Sequence, residues 1–223
     1  MLPGDGMALN LRSKLYYLTP PDLPDTAALV SRVVAVLRGG VGMVQYRAKA
    51  LPAARMYQDV VALLHVTRPA GVPLIVNDRV EVALAVGADG VHVGQADLPA
   101  NVVRRMMGPA AIVGVTADEP RLARQAEKNG ASYVACGTIF PSLTKPERPV
   151  IGVAGARAVQ QAVSIPVCVI GGITAENLAQ LRPVDPELVA VIAAINDALD
   201  PGQAAAELVE LCRTQLPPRG LGL

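Results

Sequence analysis

Short apolar runs alternate with longer amphipathic stretches along the whole chain. A short apolar run bounded by turn residues is typical of a strand buried in a parallel sheet, whereas apolar residues at helical spacing indicate a helix packed on that sheet. The pattern predicts strands at residues 15–18, 43–46, 73–76, 90–93, 112–115, 133–139, 166–170 and 188–193. It predicts helices at residues 26–37, 51–67, 79–86, 99–107, 120–128, 153–163, 174–181 (capped by Thr174) and 203–215.

The strand–helix units follow one another without a break in composition. This regularity predicts an α/β protein with a single (β/α)8 barrel, the TIM-barrel architecture, over residues 14–216. Residues 1–13 and 217–223 are predicted to be flexible tails. The alternative is an open doubly wound sheet, which usually has fewer strands.

Composition narrows the possible functions. Of the 223 residues, 52% are hydrophobic, which is ample for a core, and the net charge of +1 gives no field that would attract nucleic acid. No apolar run is long enough to span a bilayer, and the N-terminus lacks an apolar signal core, so we expect a soluble cytoplasmic protein. The three cysteines are far apart in the sequence, which is typical of reduced core residues. The sequence leaves open whether the chain forms a homo-oligomer.

The stretch from residue 73 to residue 97 is a predicted strand–helix–strand unit. The carboxyl ends of parallel strands lie on the same edge of a sheet, so Asp78 and Asp97 are expected to face a common rim. Two carboxylates there could hold a hard divalent cation such as Mg²⁺, with substrate phosphates completing its coordination. Alternatively, Asp78 is only the N-cap of the following helix. This stretch alone leaves both interpretations open.

The second predicted strand ends in polar residues that share one face. Side chains two positions apart on a strand point the same way, so Gln45, Arg47 and Lys49 lie in line. Arginine and lysine there indicate a bound anion, because arginine offers a bidentate fork to phosphate and lysine a compact charge. The alternative is that Arg47 and Lys49 lie beyond the barrel and are merely solvated.

Other polar groups follow later strands. Thr116 ends the fifth strand, and the loop at residues 140–151, which is long enough to act as a lid, carries Ser142, Thr144 and Lys145. The loops after strands seven and eight commonly bind phosphate in this fold, and Gly171–Gly172 would let an oxyanion approach the backbone.

Neither histidine is given a catalytic role. His92 lies between two valines in a short strand and is predicted to be a hydrogen-bonded core residue, and His65 lies near a helix C-terminus. No Cys–His or Ser–His pairing is evident. The candidate residues are two carboxylates, three cations, several hydroxyls and a glycine turn. Such a set is suited to binding two phosphorylated groups, one of them a diphosphate bound through Mg²⁺. Stabilisation of a leaving diphosphate would need no more than this.

At these residues the sequence resembles the thiamine-phosphate synthase family. The resemblance runs from the second strand to the eighth, so it covers nearly the whole barrel. The segments that carry it are QYRAK (45–49), PLIVNDRVEVALAVGADGVHVGQAD (73–97), GVT (114–116), GTIFPSLTK (137–145), VIGGITAEN (169–177) and VAVIAAI (189–195).

The resemblance implies a transferase that joins hydroxymethylpyrimidine diphosphate to a thiazole phosphate, giving thiamine phosphate and pyrophosphate. It implies that Asp78 and Asp97 hold Mg²⁺ and that Arg47, Lys49, Thr116 and Lys145 are catalytic. The implied substrate-binding residues are Gln45, Tyr46, Arg47, Ala48, Lys49, Asn77, Thr116, Ser142, Leu143, Thr144, Lys145, Gly172, Ile192 and Ala193. In the implied mechanism, pyrophosphate leaves first and the aminopyrimidine delocalises the resulting cation.

The sequence departs from the family pattern at some of these positions. Thr116 stands where the family usually has serine, and Ser142 replaces a usual threonine, so both keep a hydroxyl. Ala193 replaces a usual serine, which removes a hydroxyl from the thiazole phosphate site but leaves the backbone N–H. Residues 182–187 replace a more typical alanine/glycine turn.

Three other functions compete with this interpretation. The sister thiazole tautomerases work without Mg²⁺ and often use a rim histidine after strand five, where this chain has residues 116–119, TADE. A pentose-phosphate epimerase would require a His/Asp metal cluster, which two histidines do not readily supply. A non-catalytic barrel that binds thiamine precursors would have little reason to keep costly charges such as Asp78, Asp97 and Lys145 together.

Overall fold

Parallel strands form a closed barrel surrounded by helices. The computed structural model describes residues 9, 11–21, 23–141 and 149–216. The strands are β1 Leu15–Leu18, β2 Met43–Tyr46, β3 Leu74–Asn77, β4 Gly90–Val93, β5 Ile112–Thr116, β6 Tyr133–Cys136, β7 Val167–Ile170 and β8 Leu188–Val191. The helices are α1 Thr26–Arg38, α2 Ala53–Thr67, α3 Val80–Val86, α4 Ala100–Met107, α5 Pro120–Lys128, α6 Gly152–Gln160, α7 Ala193–Asn196 and α8 Pro201–Gln215. Each strand pairs in parallel with its sequence neighbour and β8 closes on β1, which confirms the predicted (β/α)8 barrel.

Helix boundaries follow from local chemistry. Asp25 begins α1 by accepting a hydrogen bond from the N–H of Ala28, and Asp200 begins α8 by accepting one from the N–H of Gln203. Gly87 ends α3 in the left-handed conformation, with φ 65°, which glycine adopts without steric cost. Within the part of the chain that the structure describes, no helix has the length and apolar character needed to cross a bilayer.

The predicted helix at residues 174–181 is wrong. Only Leu178–Leu181 is helical, as a single 3₁₀ turn, and Thr174 does not cap it. Instead, the side chain of Asn177 accepts a hydrogen bond from the N–H of Thr174 (2.9 Å) and donates one to the carbonyl of Gly172 (2.7 Å). These bonds hold residues 172–177 as a compact loop, in which the side chain of Asn177 pairs with the backbone and competes with helix formation.

Two predicted strands are shorter than expected. β6 ends at Cys136 instead of residue 139, and a Cβ at the next residue, Gly137, would lie 1.9 Å from the carbonyl oxygen of Ile170 in β7. β8 ends at Val191 instead of residue 193, and the short helix α7 begins at Ala193.

The strands separate two cores. Their outward side chains pack with the helices in a large cluster of mainly aliphatic residues, including Val44, Val76 and Val91. Their inward side chains fill the barrel with a smaller cluster that contains Tyr16 and Tyr133. Cys136, Cys168 and Cys212 are buried free thiols.

The tails predicted at both ends fall largely outside the described residues, which leave out residues 1–8, 10 and 217–223. Residues 11–13 contact the barrel's amino end. Arg12 donates from Nε to the carbonyl of Val41 (2.7 Å), and the hydroxyl of Ser13 donates to the carbonyl of Gly40 (2.8 Å).

Candidate active site

A polar cavity of about 600 Å³ opens at the carboxyl ends of the strands. This is the end of the barrel at which enzymes of this fold carry their active sites. Its lining includes many of the polar residues that the sequence places at strand ends, together with apolar residues of the barrel interior. The lining residues are Tyr16, Leu18, Gln45, Arg47, Lys49, Asn77, Asp78, His92, Gly94, Gln95, Asp97, Thr116, Asp118, Leu122, Ala135, Cys168, Ile170, Ala190 and Ile192.

Strand β2 and the residues after it supply one wall of the cavity. Gln45, Arg47 and Lys49 all line it, and Lys49 extends to the opposite carboxylate, with Nζ 3.5 Å from Oδ2 of Asp78. The backbone N–H of Arg47 donates to the hydroxyl of Thr19 (3.0 Å), which fixes the strand end. Arg47 and Lys49 therefore face the cavity, which favours the anion-binding interpretation over two merely solvated cations.

The two intervening residues face the other way. The hydroxyl of Tyr46 donates to Oδ2 of the buried Asp59 (2.8 Å) in α2, and Ala48 packs in the outer core. Neither is among the lining residues, so the side chains of Tyr46 and Ala48 would contribute to binding only through the strand's backbone. The reason is the alternation of side chains along a strand.

Asp78 and Asp97 come together at the rim. Burial raises the pKa of the Asp78 carboxyl, and the charge of Asp97 raises it further, while the charge of Lys49 acts in the opposite direction. Asp78 has φ 61°, a backbone conformation that a non-glycine residue rarely adopts and that is found at functional sites. It is not the cap of α3, because that position belongs to Arg79 and no side-chain cap bond is made there.

This pair fits a hard cation. Mg²⁺ is typically bound through one or two carboxylates together with water and substrate phosphate. The repulsion between two neighbouring carboxylates is relieved when a cation lies between them. Within the described ranges no group of three or more His, Cys, Asp or Glu residues forms a metal site, so further ligands would come from substrate and water. The N–H of Gly94 donates to Oδ2 of Asp97 (2.7 Å) and orients it.

The floor of the cavity is a buried hydrogen-bonded network. His92 bridges Tyr133 and Thr116, with each ring nitrogen 3.0 Å from one of the two hydroxyl oxygens. Tyr16 lies 3.0 Å from the Tyr133 hydroxyl and accepts a hydrogen bond from Nε2 of Gln45 (2.6 Å). His92 is buried and hydrogen-bonded as predicted, but it also lines the cavity.

The glycine turn after β7 is tightly packed. A Cβ at Gly172, where φ is 66°, would lie 2.5 Å from the carbonyl oxygens of Phe140 and Pro141. After the neighbouring strand β8, Ile192 lines the cavity and Ala193 begins α7, so backbone N–H groups at this helix start lack intrahelical partners. Gly172 and Ala193 are not among the lining residues. The loop residues Ser142, Leu143, Thr144 and Lys145 lie outside the described residues.

Some residues at the site were not predicted. Asp118 lines the cavity and accepts a hydrogen bond from the N–H of Gly137 (3.0 Å). The two-residue spacing from Thr116 could have indicated it, since both then share a face. Tyr16 and Tyr133 gave no such signal, because each occurs in a short apolar strand.

Two further cavities lie at the amino ends of the strands. One of about 660 Å³ is lined largely by apolar residues such as Leu9, Leu84 and Met107, and one of about 510 Å³ lies between residues 9–14 and α8. Among the described residues, the ionisable groups that the sequence singles out, Arg47, Lys49, Asp78 and Asp97, are absent from both linings. We therefore regard the carboxyl-end cavity as the candidate active site.

A family model and individual relatives both match this chain over most of its length. Residues 15–195 match the family model described as thiamine monophosphate synthase. The thiamine-phosphate synthase of Roseiflexus castenholzii is 45% identical over 201 residues, covering 90% of this chain and 88% of that protein. The thiamine-phosphate synthase of Ruminiclostridium cellulolyticum is 41% identical over 197 residues, covering 88% and 94%.

Solved structures agree. Thiamine phosphate pyrophosphorylase from Pyrococcus furiosus superposes with a TM-score of 0.85 at 36% identity, covering 93% of this chain and 99% of that one. A 3-hexulose-6-phosphate synthase superposes with a TM-score of 0.68 at 20% identity, which shows a shared barrel fold alone.

Proposed function

The chain belongs to the thiamine monophosphate synthase family, and we propose that it transfers the hydroxymethylpyrimidine group from its diphosphate to the nitrogen of a thiazole phosphate. A thiamine-phosphate synthase is a transferase, and its products are thiamine phosphate and pyrophosphate. The observation that carries the proposal is the juxtaposition of Asp78, Asp97 and Lys49 at the rim of one cavity, above a floor of hydrogen-bonding groups.

The rim is suited to the diphosphate. Asp78 and Asp97 would hold Mg²⁺, which when bound neutralises phosphate charge and stabilises a leaving pyrophosphate. Lys49 brings a cation beside Asp78, and Arg47 offers a planar fork to phosphate oxygens. Asn77 lies at the end of β3 and lines the cavity with them. We assign Lys145 to the same diphosphate by family resemblance.

The reaction needs charge stabilisation more than a protein nucleophile. The carbon–oxygen bond between the pyrimidine methylene and the diphosphate breaks, both electrons leave with pyrophosphate, and the aminopyrimidine delocalises the cation that remains. The thiazole nitrogen then forms the new carbon–nitrogen bond. Arg47 and Lys49 stabilise the departing charge, while Gln45 and Thr116 orient the pyrimidine ring.

Cys168 is the only thiol in the cavity lining, and it does not react as a thiolate with the pyrimidine cation. Burial raises the pKa of the Cys168 thiol well above its usual value, and the nearby Cys136 raises it further. Because the thiolate is the nucleophilic form of cysteine, Cys168 stays inert at neutral pH. The free thiols are also consistent with the cytoplasmic location that we propose.

The thiazole phosphate would bind at the opposite side of the cavity. Gly172 would let an oxyanion approach the backbone, and the backbone at Ile192 and Ala193 begins α7 with N–H groups that lack intrahelical partners. The residues assigned to the thiazole ring by resemblance are Ser142, Leu143 and Thr144. Ala193 offers no hydroxyl, so the backbone carries more of the phosphate interaction here.

Turnover of the purified chain tests the proposal. The protein is stripped of metal with a chelator and supplied with both substrates, with and without Mg²⁺, and thiamine phosphate and pyrophosphate are quantified. Equal amounts of both products, formed only with Mg²⁺, are expected. Aromatisation of a thiazole tautomer without any joining reaction would assign the chain to the sister tautomerases. Tight binding of both substrates without any product would indicate a non-catalytic precursor-binding barrel.

A further inference from the structure

The floor of the cavity contains a continuous chain of polar side chains. It runs from Gln45 through Tyr16, Tyr133 and His92 to Thr116, and every link is a hydrogen bond of 2.6–3.0 Å. Four of these residues, Gln45, Tyr16, His92 and Thr116, line the candidate active site. Tyr16 and Tyr133 are almost completely buried, with 1% and 0% of their surface exposed. The chain links β1, β2, β4, β5 and β6 inside the barrel.

We propose that Tyr16, Tyr133 and His92 are positioning residues whose hydrogen-bond chain fixes which pocket group donates and which accepts, so that the site takes an aminopyrimidine in one orientation. The proposal rests on the proposed function for the identity of the ring. The fixed direction of the chain itself does not depend on it.

The direction of the chain follows from its first link. Gln45 donates Nε2–H to the Tyr16 oxygen, so the Tyr16 O–H can in turn donate to the Tyr133 oxygen. The Tyr133 O–H then donates to Nδ1 of His92. A neutral imidazole has one acceptor and one donor nitrogen, so Nε2 carries the proton. With this direction, the hydroxyl protons of both tyrosines have acceptors within the hydrogen-bond chain. Buried polar groups generally need such partners.

Burial keeps the chain in this state. Desolvation raises the pKa of both Tyr16 and Tyr133, so both phenols stay protonated and act as neutral donors. The rings are held by packing. His92 stacks on Tyr133 with centroids 5.7 Å apart, and Tyr16 meets Tyr133 edge to face at 6.1 Å.

Strand β5 makes room for the central bond. A Cβ at Gly114 would lie 2.2 Å from the Tyr133 hydroxyl and 2.6 Å from Nδ1 of His92. Any other residue would therefore displace the two groups that form the bond. Barrels of this fold are normally filled by branched aliphatic residues, so a polar chain at this depth is better explained by the ligand than by stability.

The ends of the chain then have complementary roles. The Thr116 oxygen accepts from Nε2 of His92, so the Thr116 proton is available for an acceptor on a ligand. Gln45, with Nε2 committed to Tyr16, has its carbonyl oxygen as the acceptor for a ligand N–H. An aminopyrimidine offers both an exocyclic N–H donor and ring nitrogen acceptors. An analogue with an oxo group in place of the amino group reverses this pattern.

The tautomer of His92 tests the direction without any substrate. The protein has two histidines, His92 and the exposed His65. Nδ1 of His65 lies 2.8 Å from the carbonyl of Val61, which can only accept a hydrogen bond. Nitrogen-15 NMR of histidine-labelled protein at about pH 8.5, where an ordinary imidazole is neutral, should show His92 protonated at Nε2 and His65 at Nδ1. The His65→Gln variant assigns the signals. A wild-type His92 protonated at Nδ1 would overturn the proposal.

The Tyr133→Phe variant breaks the chain with little change in shape. His92 should then become a mixture of tautomers, because both hydrogen bonds of the Tyr133 hydroxyl are lost. KM for the pyrimidine diphosphate should rise about tenfold, the usual contribution of one hydrogen bond, because the ligand no longer meets a fixed donor at Thr116. KM for the thiazole phosphate should stay the same, and discrimination against the oxo analogue should fall by a similar factor. Tyr16→Phe breaks the neighbouring link and should raise the same KM, which provides a second variant if Tyr133→Phe does not fold.

The control is Ser132→Ala. Ser132 precedes Tyr133 and its buried hydroxyl accepts hydrogen bonds from Arg104 (2.8 Å) and from the N–H of Val113 (3.0 Å), away from the cavity. It should lower the melting temperature without changing either KM or the discrimination. If Tyr133→Phe behaves like this control, the positioning role is refuted while the synthase function stands. If the wild-type protein does not join the two substrates, the proposed function is refuted. The assignment of the ligand as an aminopyrimidine is then refuted as well, whichever tautomer His92 adopts.

Discussion

The outer and inner faces of the barrel strands differ sharply in chemistry although they belong to the same short segments. Side chains that point to the helices are almost all aliphatic and buried, whereas those that point inward near the carboxyl ends are polar and reach the cavity. Pairs of adjacent residues illustrate the division, because the first side chain of each pair points outward to the helices and the second points inward to the cavity. The pairs are Val44 and Gln45, Val76 and Asn77, Val91 and His92, and Val115 and Thr116.

Residues that stabilise the fold and residues suited to the chemistry are therefore neighbours along a strand, with side chains on opposite faces. Removing outer side chains should cost folding free energy and leave the reaction intact. Changing inner side chains at the rim should do the reverse.

The largest effect is expected at the rim carboxylates. Asp78→Asn or Asp97→Asn should lower Mg²⁺-dependent turnover roughly 1000-fold, because an electrostatic group that stabilises a developing charge contributes on that scale. The matched control is Asp185→Asn. Asp185 also has a positive φ, 48°, and an ion pair (with Lys14, 3.0 Å), but it lies before β8, away from the cavity. Steady-state kinetics that found equal turnover in all three variants would contradict the metal assignment.

An outer-core truncation should act on stability alone. Leu63→Ala removes a fully buried side chain of α2 and should lower the free energy of unfolding by about 3 kcal/mol, through lost burial and the cavity left behind. The same change at the fully exposed Leu199 should have no measurable effect. Denaturant unfolding measures the difference. A loss of kcat/KM in folded Leu63→Ala would show that the two faces are coupled.

A smaller effect is expected from restoring a hydroxyl at the thiazole phosphate side. Ala193→Ser places a donor at the exposed first residue of α7 and should lower KM for the thiazole phosphate about threefold to tenfold, the usual net contribution of one hydrogen bond. Ala198→Ser, beyond the end of that helix, is the control. An unchanged KM in Ala193→Ser would mean that the phosphate does not bind at this helix start.

The smallest effect concerns the stability that the protein loses by burying the charge of Asp78 when no metal is bound. Burial and Asp97 raise the pKa of Asp78 in the metal-free protein, so its ionised form opposes folding at pH values above that raised pKa. Without Mg²⁺, Asp78→Asn should therefore melt slightly above the wild type near neutral pH. The difference should vanish as the pH falls through the raised pKa, where the wild-type carboxyl is also neutral.

Saturating Mg²⁺ should reverse the order of the two melting temperatures, because a ligand stabilises only the form that binds it. Thermal melts with and without Mg²⁺ at several pH values measure this. A wild type that melts above Asp78→Asn without metal at every pH would show that the ion pair with Lys49 outweighs the repulsion from Asp97.

The rim could be predicted from the sequence because it depends on topology. Once residues 73–97 are recognised as a strand–helix–strand unit, parallel pairing alone requires Asp78 and Asp97 to share an edge, and the structure brings them together. The loop at residues 172–177 could not be predicted, because its apolar spacing is compatible with a helix. Whether the side chain of Asn177 would bond to Gly172 was decided only by how the loop packs.

Local periodicity and the parallel order of the strands were enough to predict the alternation of strands and helices, the closed barrel and the identity of most rim groups. The contact between Tyr16 and Tyr133, which lie 117 residues apart and join His92 to Gln45 beneath the cavity, depends instead on the folded barrel. Barrel closure fixes which inward side chains become neighbours, and that depends on the register of all the strands at once. No pattern within a single segment carries that information.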